Sequence, residues 1–315
     1  MKAIGRLLEE LHKRSPRNVL SPEQQLEHMS RSSGYLQEFQ QRFPQLSRED
    51  YLRALPTVYQ AVKEHSWCEN CPGLADCPNL VKGHYTVLDV QVGQVVGALA
   101  ACSKQIAYEE AQRRRRLIRS YYVSEETMAA TFESMKLDQY NRTAAMASFR
   151  FSREVVPGDK GKGLYLHGPF GVGKSYLMGA IAQKLAEREI ASLMVYVPEF
   201  VREIKESLAD HSYGSKLELL KSIPVLILDD LGAENLTPWV RDEILGVILH
   251  HRVNNRLPTL YTSNYSLEEL ADHLAISNGN RVEVTKAHRI MERIRHYVDV
   301  YMIEGDNRRK ERQTS

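Results

Sequence analysis

The sequence predicts an α/β fold, a parallel sheet covered by helices, preceded by a small, mainly helical zinc-binding domain. Gly168 to Ser175 reads Gly-Pro-Phe-Gly-Val-Gly-Lys-Ser and fits the phosphate-binding pattern G-x-x-x-x-G-K-[ST]. On either side of it, apolar strand-like runs alternate with helical periodicity, the pattern of a parallel sheet with crossover helices. In the first third of the chain, Cys68, Cys71, Cys77 and Cys102 cluster in a turn-rich segment that closes with a Val-rich stretch. In a chain with no secretory signal pattern, such clustering points to a metal rather than to disulfides.

At 315 residues the chain has room for two domains, and 43% hydrophobic with 26% charged residues is an ordinary globular composition. A net charge of +2 excludes a global basic field, so any nucleic-acid contact has to come from local patches. No apolar run reaches the length of a membrane span, and a cytoplasmic protein is expected.

Ile4, Leu7, Leu8 and Leu11 give a first short helix one apolar stripe, which either docks on its own domain or serves as a detachable partner-binding helix. Helical patterns follow at 24–31, 35–42 and 48–65, with Pro56 a break or kink in the last. The Cys68-x-x-Cys71 pair followed by Pro72-Gly73 has the shape of a zinc knuckle. His84 opens a predicted hairpin with its turn at Gly93-Gln94, a register that sets Cys102 opposite Tyr85 and next to His84. Five ligands thus compete for four places. Cys68, Cys71, His84 and Cys102 are preferred, with Cys77 the spare or substitute.

Residues 103–123 carry Arg113-Arg-Arg-Arg116 and Arg119 and read as a basic helical connector; four consecutive arginines spread around all faces of a helix, which suits a solvated linker. The division expected is 1–105 for the zinc-binding domain, 106–135 for the linker and 136–315 for an ATP-binding domain. Within the last, the phosphate loop supplies the cofactor-binding set Gly168, Pro169, Phe170, Gly171, Val172, Gly173, Lys174, Ser175 and Tyr176. Its glycines admit the backbone close to phosphate, its N–H groups and helix N-terminus face negative charge, Lys174 reaches the β and γ oxygens and Ser175 holds Mg2+. A strand at 192–197 and a Pro-initiated helix lead to Val225-Leu-Ile-Leu228, which ends in Asp229-Asp230. A strand-end carboxylate beside the phosphate loop is placed to hold Mg2+, the role of Asp229. Asp230 takes the water-activating position, one methylene shorter than the usual Glu, so slow hydrolysis is expected. After a helix from Trp239, the strand ending Thr262-Ser-Asn264 offers Asn264 as a polar sensor, or as a cap for the next helix. Arg289 and Arg293 stand four residues apart on a helix over 285–296, where an arginine at a subunit edge can reach a neighbour's γ-phosphate.

Together Gly168 to Ser175, Leu226-Ile-Leu-Asp-Asp-Leu-Gly232, Thr262-Ser-Asn264 and Arg289-Ile-Met-Glu-Arg-Ile-Arg295 resemble an AAA+ ATPase, and within that class the bacterial replicative helicase loaders of the DnaI and DnaC type. The cysteine segment resembles the DnaI form. The resemblance implies a five-stranded sheet ordered 5-1-4-3-2, ATP bound at subunit boundaries and self-association through the ATPase domain on single-stranded DNA. It also implies an N-terminal domain that grips the hexameric replicative helicase, and contact with other primosome proteins. Arg293 matches the arginine-finger position and Arg289 the supporting one. A departure is that too few residues follow Ile303 to build the helical lid that carries a second sensor arginine in most AAA+ proteins; Arg308 and Arg309 are candidates for that arginine, neither of them preferred. The same ATPase module serves helper ATPases of insertion-sequence transposition, and an ATP-binding adaptor without turnover fits the motifs as well.

Overall fold

The computed structural model describes residues 20–207, 213–234, 237–277 and 281–308. The apolar stripe Ile4–Leu11 and Arg309 lie outside the described residues. The chain forms two compact units, 1–111 and 112–315.

In the first unit, local side-chain chemistry sets the helix starts. Helix α1 (Pro22–Ser32) and helix α3 (Arg48–Arg53) open on capping boxes, Ser21 with Gln24 and Ser47 with Asp50, and helix α2 (Gly34–Arg42) between them is capped by Ser33. Pro56 sits in the first turn of α4 (Leu55–Glu69), so it opens a new helix after Ala54 and kinks nothing. Leu26, Met29, Leu36, Phe39, Tyr51, Val58 and Ala61 pack beneath Leu88 and Val95 of an antiparallel hairpin, β1 (His84–Gln91) with β2 (Gln94–Ala101). Buried Glu64 ties α4 to this hairpin: one oxygen accepts Thr86 N–H at 2.7 Å and the other accepts Leu80 N–H at 3.3 Å. The Tyr35 hydroxyl accepts Leu88 N–H at 2.6 Å while its ring stacks on His65.

The hairpin corrects the expected register. Its turn is Val92-Gly93, with φ of 51° and 74°, not Gly93-Gln94. Positive φ at both central residues gives the turn whose twist matches the strands, a match that outweighs the strain of a β-branched residue there. His84 therefore pairs with Ala101, and Cys102 lies opposite Gly83, donating its N–H to the Gly83 carbonyl at 2.8 Å.

Helix α5 (Ser103–Leu117) buries no residue. The segment after it is not helical: β3 (Ile118–Tyr121) joins the main sheet, followed by the short helix α6 (Glu125–Met128). The next helix is α7 (Arg142–Glu154). Then come β4 (Gly163–His167), α8 (Lys174–Glu187), β5 (Ser192–Tyr196), α9 (Val197–Glu206), α10 (Gly214–Ser222) and β6 (Val225–Asp229). A π-helical turn (Val240–Leu245) runs into α11 (Gly246–Asn254). The chain continues through β7 (Thr259–Ser263), α12 (Leu267–Ala275), the two-residue ladder of β8 (Ile276–Ser277) with β9 (Arg281–Val282), α13 (Val284–Arg295) and β10 (Val298–Met302).

The main sheet is parallel and ordered β10-β4-β7-β6-β5-β3. The five strands from β4 onward stand in the implied 5-1-4-3-2 order; the correction is a sixth, β3, added at the edge against β5 because the backbone of 118–121 finds a free ladder there. Strand β6 is buried throughout, and its alternation sends Leu226 and Leu228 to one core cluster and Val225 and Ile227 to the other. Fully buried Arg252 fastens α11 to the start of the neighbouring strands, donating to the carbonyls of Leu220 and Ile223 at 2.9 and 2.7 Å, to that of Pro258 at 2.7 Å and to the Thr259 hydroxyl at 2.9 Å.

Candidate nucleotide-binding site

Strand β4 runs into the loop 168–173 and the loop into α8, the arrangement that presents backbone N–H groups and a positive helix end at the carboxyl edge of a parallel sheet. Gly168, Gly171 and Gly173 have φ of 142°, 79° and 102°. At Gly168 a Cβ would lie 2.0 Å from the Ile303 carbonyl oxygen, so glycine is demanded there by space as well as by conformation. Val172 is buried against the core below α8, Phe170 projects outward, and the Tyr176 hydroxyl lies 2.6 Å from Ser134 Oγ.

Lys174 is buried, and its Nζ donates to the carbonyls of Gly168 and Pro169 at 2.7 and 2.8 Å and to Asn264 Oδ1 at 2.8 Å. Asn264 Nδ2 in turn donates to Asp230 Oδ1 at 3.0 Å. Asn264 thus bridges the loop lysine and the acid pair, while the cap of α12 is Ser266, whose hydroxyl accepts Glu269 N–H. Asn264 therefore does not cap that helix.

Asp229 is buried at the end of β6. Burial raises its carboxyl above the usual range, opposed by hydrogen bonds from the hydroxyls of Thr262 (2.6 Å) and Ser175. Asp230 follows with φ of 60°, a left-handed conformation that Asp tolerates, and its N–H donates to Thr262 Oγ1 at 2.8 Å. The carboxylate of Asp229 and the hydroxyl of Ser175 are hard oxygen donors of the kind Mg2+ takes beside a triphosphate, so the donor set fits the ion.

Sequence reasoning missed Glu234. Its Oε2 accepts Gly232 N–H at 2.8 Å, its Oε1 is buried without a hydrogen-bond partner among the described residues, and burial, helped by the charge of Asp230, pushes its carboxyl up to about 7. An acid five residues after a strand-end carboxylate carries no periodic signal; only the turn at Gly232 folds it inward.

The two arginines differ. Arg293 Nη1 donates to the Gly246 carbonyl at 3.1 Å, where the π-helical turn passes into α11, and Arg289 stands exposed on the same helix. Neither is joined to the phosphate loop by a hydrogen bond among the described residues. In the first unit, the four cysteines are free and part-buried. Cys68 Sγ accepts from Asn79, Cys77 Sγ from Gly83 N–H and Cys71 Sγ from Lys104. The Gly73 N–H and Lys104 hold the Cys71 thiol below its ordinary pKa. The donor types suit zinc, but among the described residues no three Cys, His, Asp or Glu side chains gather as a metal-binding group.

A glycine-rich phosphate loop, a buried strand-end acid, an asparagine bridging the loop lysine and the second acid, and this strand order define a P-loop ATP-binding module of the AAA+ kind. The family profile described as IstB-like ATP binding protein matches residues 94–315, and that described as primosomal protein DnaI N-terminus matches residues 1–96. The replicative helicase loader DnaI of Bacillus subtilis is 38% identical over 258 residues, 82% of this chain and 83% of the relative. A crystal structure of DnaI superposes with a TM-score of 0.55 at 45% identity, covering 62% of this chain and 99% of that one. The chain belongs to the IstB-like ATP-binding family and, within it, to the DnaI type. Among the described residues no helix is long and apolar enough to cross a membrane.

Proposed function

We propose that this protein is an ATP-dependent loader that binds the hexameric replicative DNA helicase and helps place it on single-stranded DNA. The observation that carries the reading is the union, in one chain, of a DnaI-type N-terminal sequence with a P-loop module. The N-terminal unit is the helicase-gripping part, other primosome proteins are further partners, and the setting is the cytoplasm.

In this reading Gly168 to Tyr176 cradle the triphosphate of ATP, and Ser175 and Asp229 hold Mg2+, which supplies charge neutralisation at the phosphates. To reach the β and γ oxygens, Lys174 exchanges the Gly168 and Pro169 carbonyls for phosphate. Asp230 accepts the proton of the attacking water and Asn264 orients it against the γ-phosphate; the short reach of Asp230 keeps turnover slow. Arg293 and Arg289 act on the γ-phosphate of a neighbouring subunit after self-association, which requires Arg293 to leave Gly246. Cys68, Cys71, His84 and Cys102 are the proposed zinc ligands, supported by the thiol and imidazole donor types; metal analysis should return about one zinc per chain, and none would remove this part of the proposal.

A second reading, a helper ATPase of insertion-sequence transposition, is favoured by the match of the ATP-binding module to IstB-like proteins. A pull-down with the full chain separates the two. Recovery of the replicative helicase in an ATP-dependent complex is expected, and recovery of a transposase instead would overturn the loader.

A further inference from the structure

The phosphate loop is backed by residues far from it in sequence. Strand β10 lies beside β4 with Met302 opposite His167, and Ile303 N–H donates to the His167 carbonyl at 2.8 Å. The register thereby delivers residues 303–308 directly behind the loop. The Ile303 carbonyl occupies the space a Cβ at Gly168 would need. Asn307 does the same at Gly171, where its Oδ1 lies 2.1 Å from the missing Cβ. Arg308 N–H donates to the Gly171 carbonyl at 3.1 Å.

The far end of this strap is tied down by Arg308. Its guanidinium donates to the Lys136 carbonyl at 2.8 Å and forms an ion pair with Asp138 Oδ2. Asp138 is itself fixed, because its Oδ1 accepts the N–H groups of Tyr140 and Asn141 at 2.9 and 3.0 Å, and buried Asn141 donates to the same Lys136 carbonyl. Gly305, with φ of 106°, lies against the Tyr140 ring. One tie therefore joins the turn before α7, the strap and the phosphate loop.

We propose that Arg308, through Asp138, is a positioning residue for nucleotide: it holds the strap 303–308 against the phosphate loop and so pre-organises the loop for ATP. The proposal rests on the ATP-site reading and adds to it a residue whose guanidinium is engaged by Lys136 and Asp138. The Arg308 and Asp138 side chains are 27% and 41% exposed, and an ion pair so placed contributes little to global stability. Its effect is expected in affinity, since a loop already in its bound shape loses less entropy on binding.

The test is a double-mutant cycle on the full chain, read by titration of a fluorescent ATP analogue and by the thermal midpoint without nucleotide. Arg308→Gln and Asp138→Asn, which keeps the Oδ1 acceptor, should each weaken binding about tenfold. The double variant should be no weaker than either single, because both break one tie. Arg308→Lys should retain part of the affinity. The midpoint should move by less than about 2 °C. Affinity within twofold of the parent, additive losses, or a midpoint that collapses with the affinity would each overturn the proposal. Lys174→Ala serves as the reference. If it loses binding while Arg308→Gln does not, the strap alone is wrong; if Lys174→Ala also binds normally, the nucleotide site itself is misassigned.

Discussion

Asn264 shows how much one side chain can join. Its amide oxygen holds Lys174 and its amide nitrogen holds Asp230, so the loop lysine and the second acid of the pair are set by the same residue. Asn264→Ala should leave ATP affinity within a few-fold and lower hydrolysis by roughly a hundredfold, as loss of one transition-state donor does; single-turnover kinetics would show it. Glu234 offers a pH test. Its folded pKa of about 7 stands above the ordinary 4.5, so the folded chain holds a proton that the unfolded chain has released. That contribution is fully present below about pH 4.5 and is lost as pH rises to about 7. Glu234→Gln keeps an acceptor for Gly232 N–H and removes the charge. The variant should gain up to about 2–3 kcal/mol over the parent above pH 7 and nothing at pH 4, measured by urea unfolding.

At the scale of elements, two features invite substitution. Val92 is fully exposed and sits at φ of 51° in the β1–β2 turn, where its branched side chain packs on nothing and strains the backbone. Val92→Asn should stabilise the first unit by about 0.5–1 kcal/mol without changing the strand register, readable by amide exchange in the hairpin. Arg252 is the opposite case. Burial lowers its pKa to about 9, and the charge is retained because a fan of carbonyls from Leu220, Ile223 and Pro258 surrounds it. Arg252→Met would orphan those buried acceptors together, and should cost about 3–5 kcal/mol. For a unit of this size that lowers the thermal midpoint by roughly 10 °C.

For the whole molecule, the division into 1–111 and 112–315 places the entire phosphate loop, its acids and its strap in the second unit. Ligand binding stabilises only what it binds. ATP with Mg2+ at a hundred times its dissociation constant should raise the stability of the second unit by about 2.7 kcal/mol. Exchange protection should rise in β4 and α8 and stay unchanged in the β1–β2 hairpin. Protection gained equally in both units would mean that nucleotide is read by the first unit too.

The sequence by itself determined the phosphate loop, the Asp229-Asp230 pair and the central strands, because each is a local pattern: fixed glycines before a helix, and apolar runs too short for helices and bounded by turn residues. It also placed Asn264 and the arginine-bearing helix α13. Tertiary structure decided what depends on partners distant in the chain. Residues 118–121 look like the tail of a basic helix, and only the open edge of β5 makes them a strand. Val92 is a poor turn residue by its own preference, and the pairing of two eight-residue strands outweighs it. Glu234 carries no local signal at all, and Arg308 none for its tie to Asp138. Glu234 acquires its raised carboxyl from burial and from Asp230, and Arg308 its place behind the loop from the register of β10 on β4.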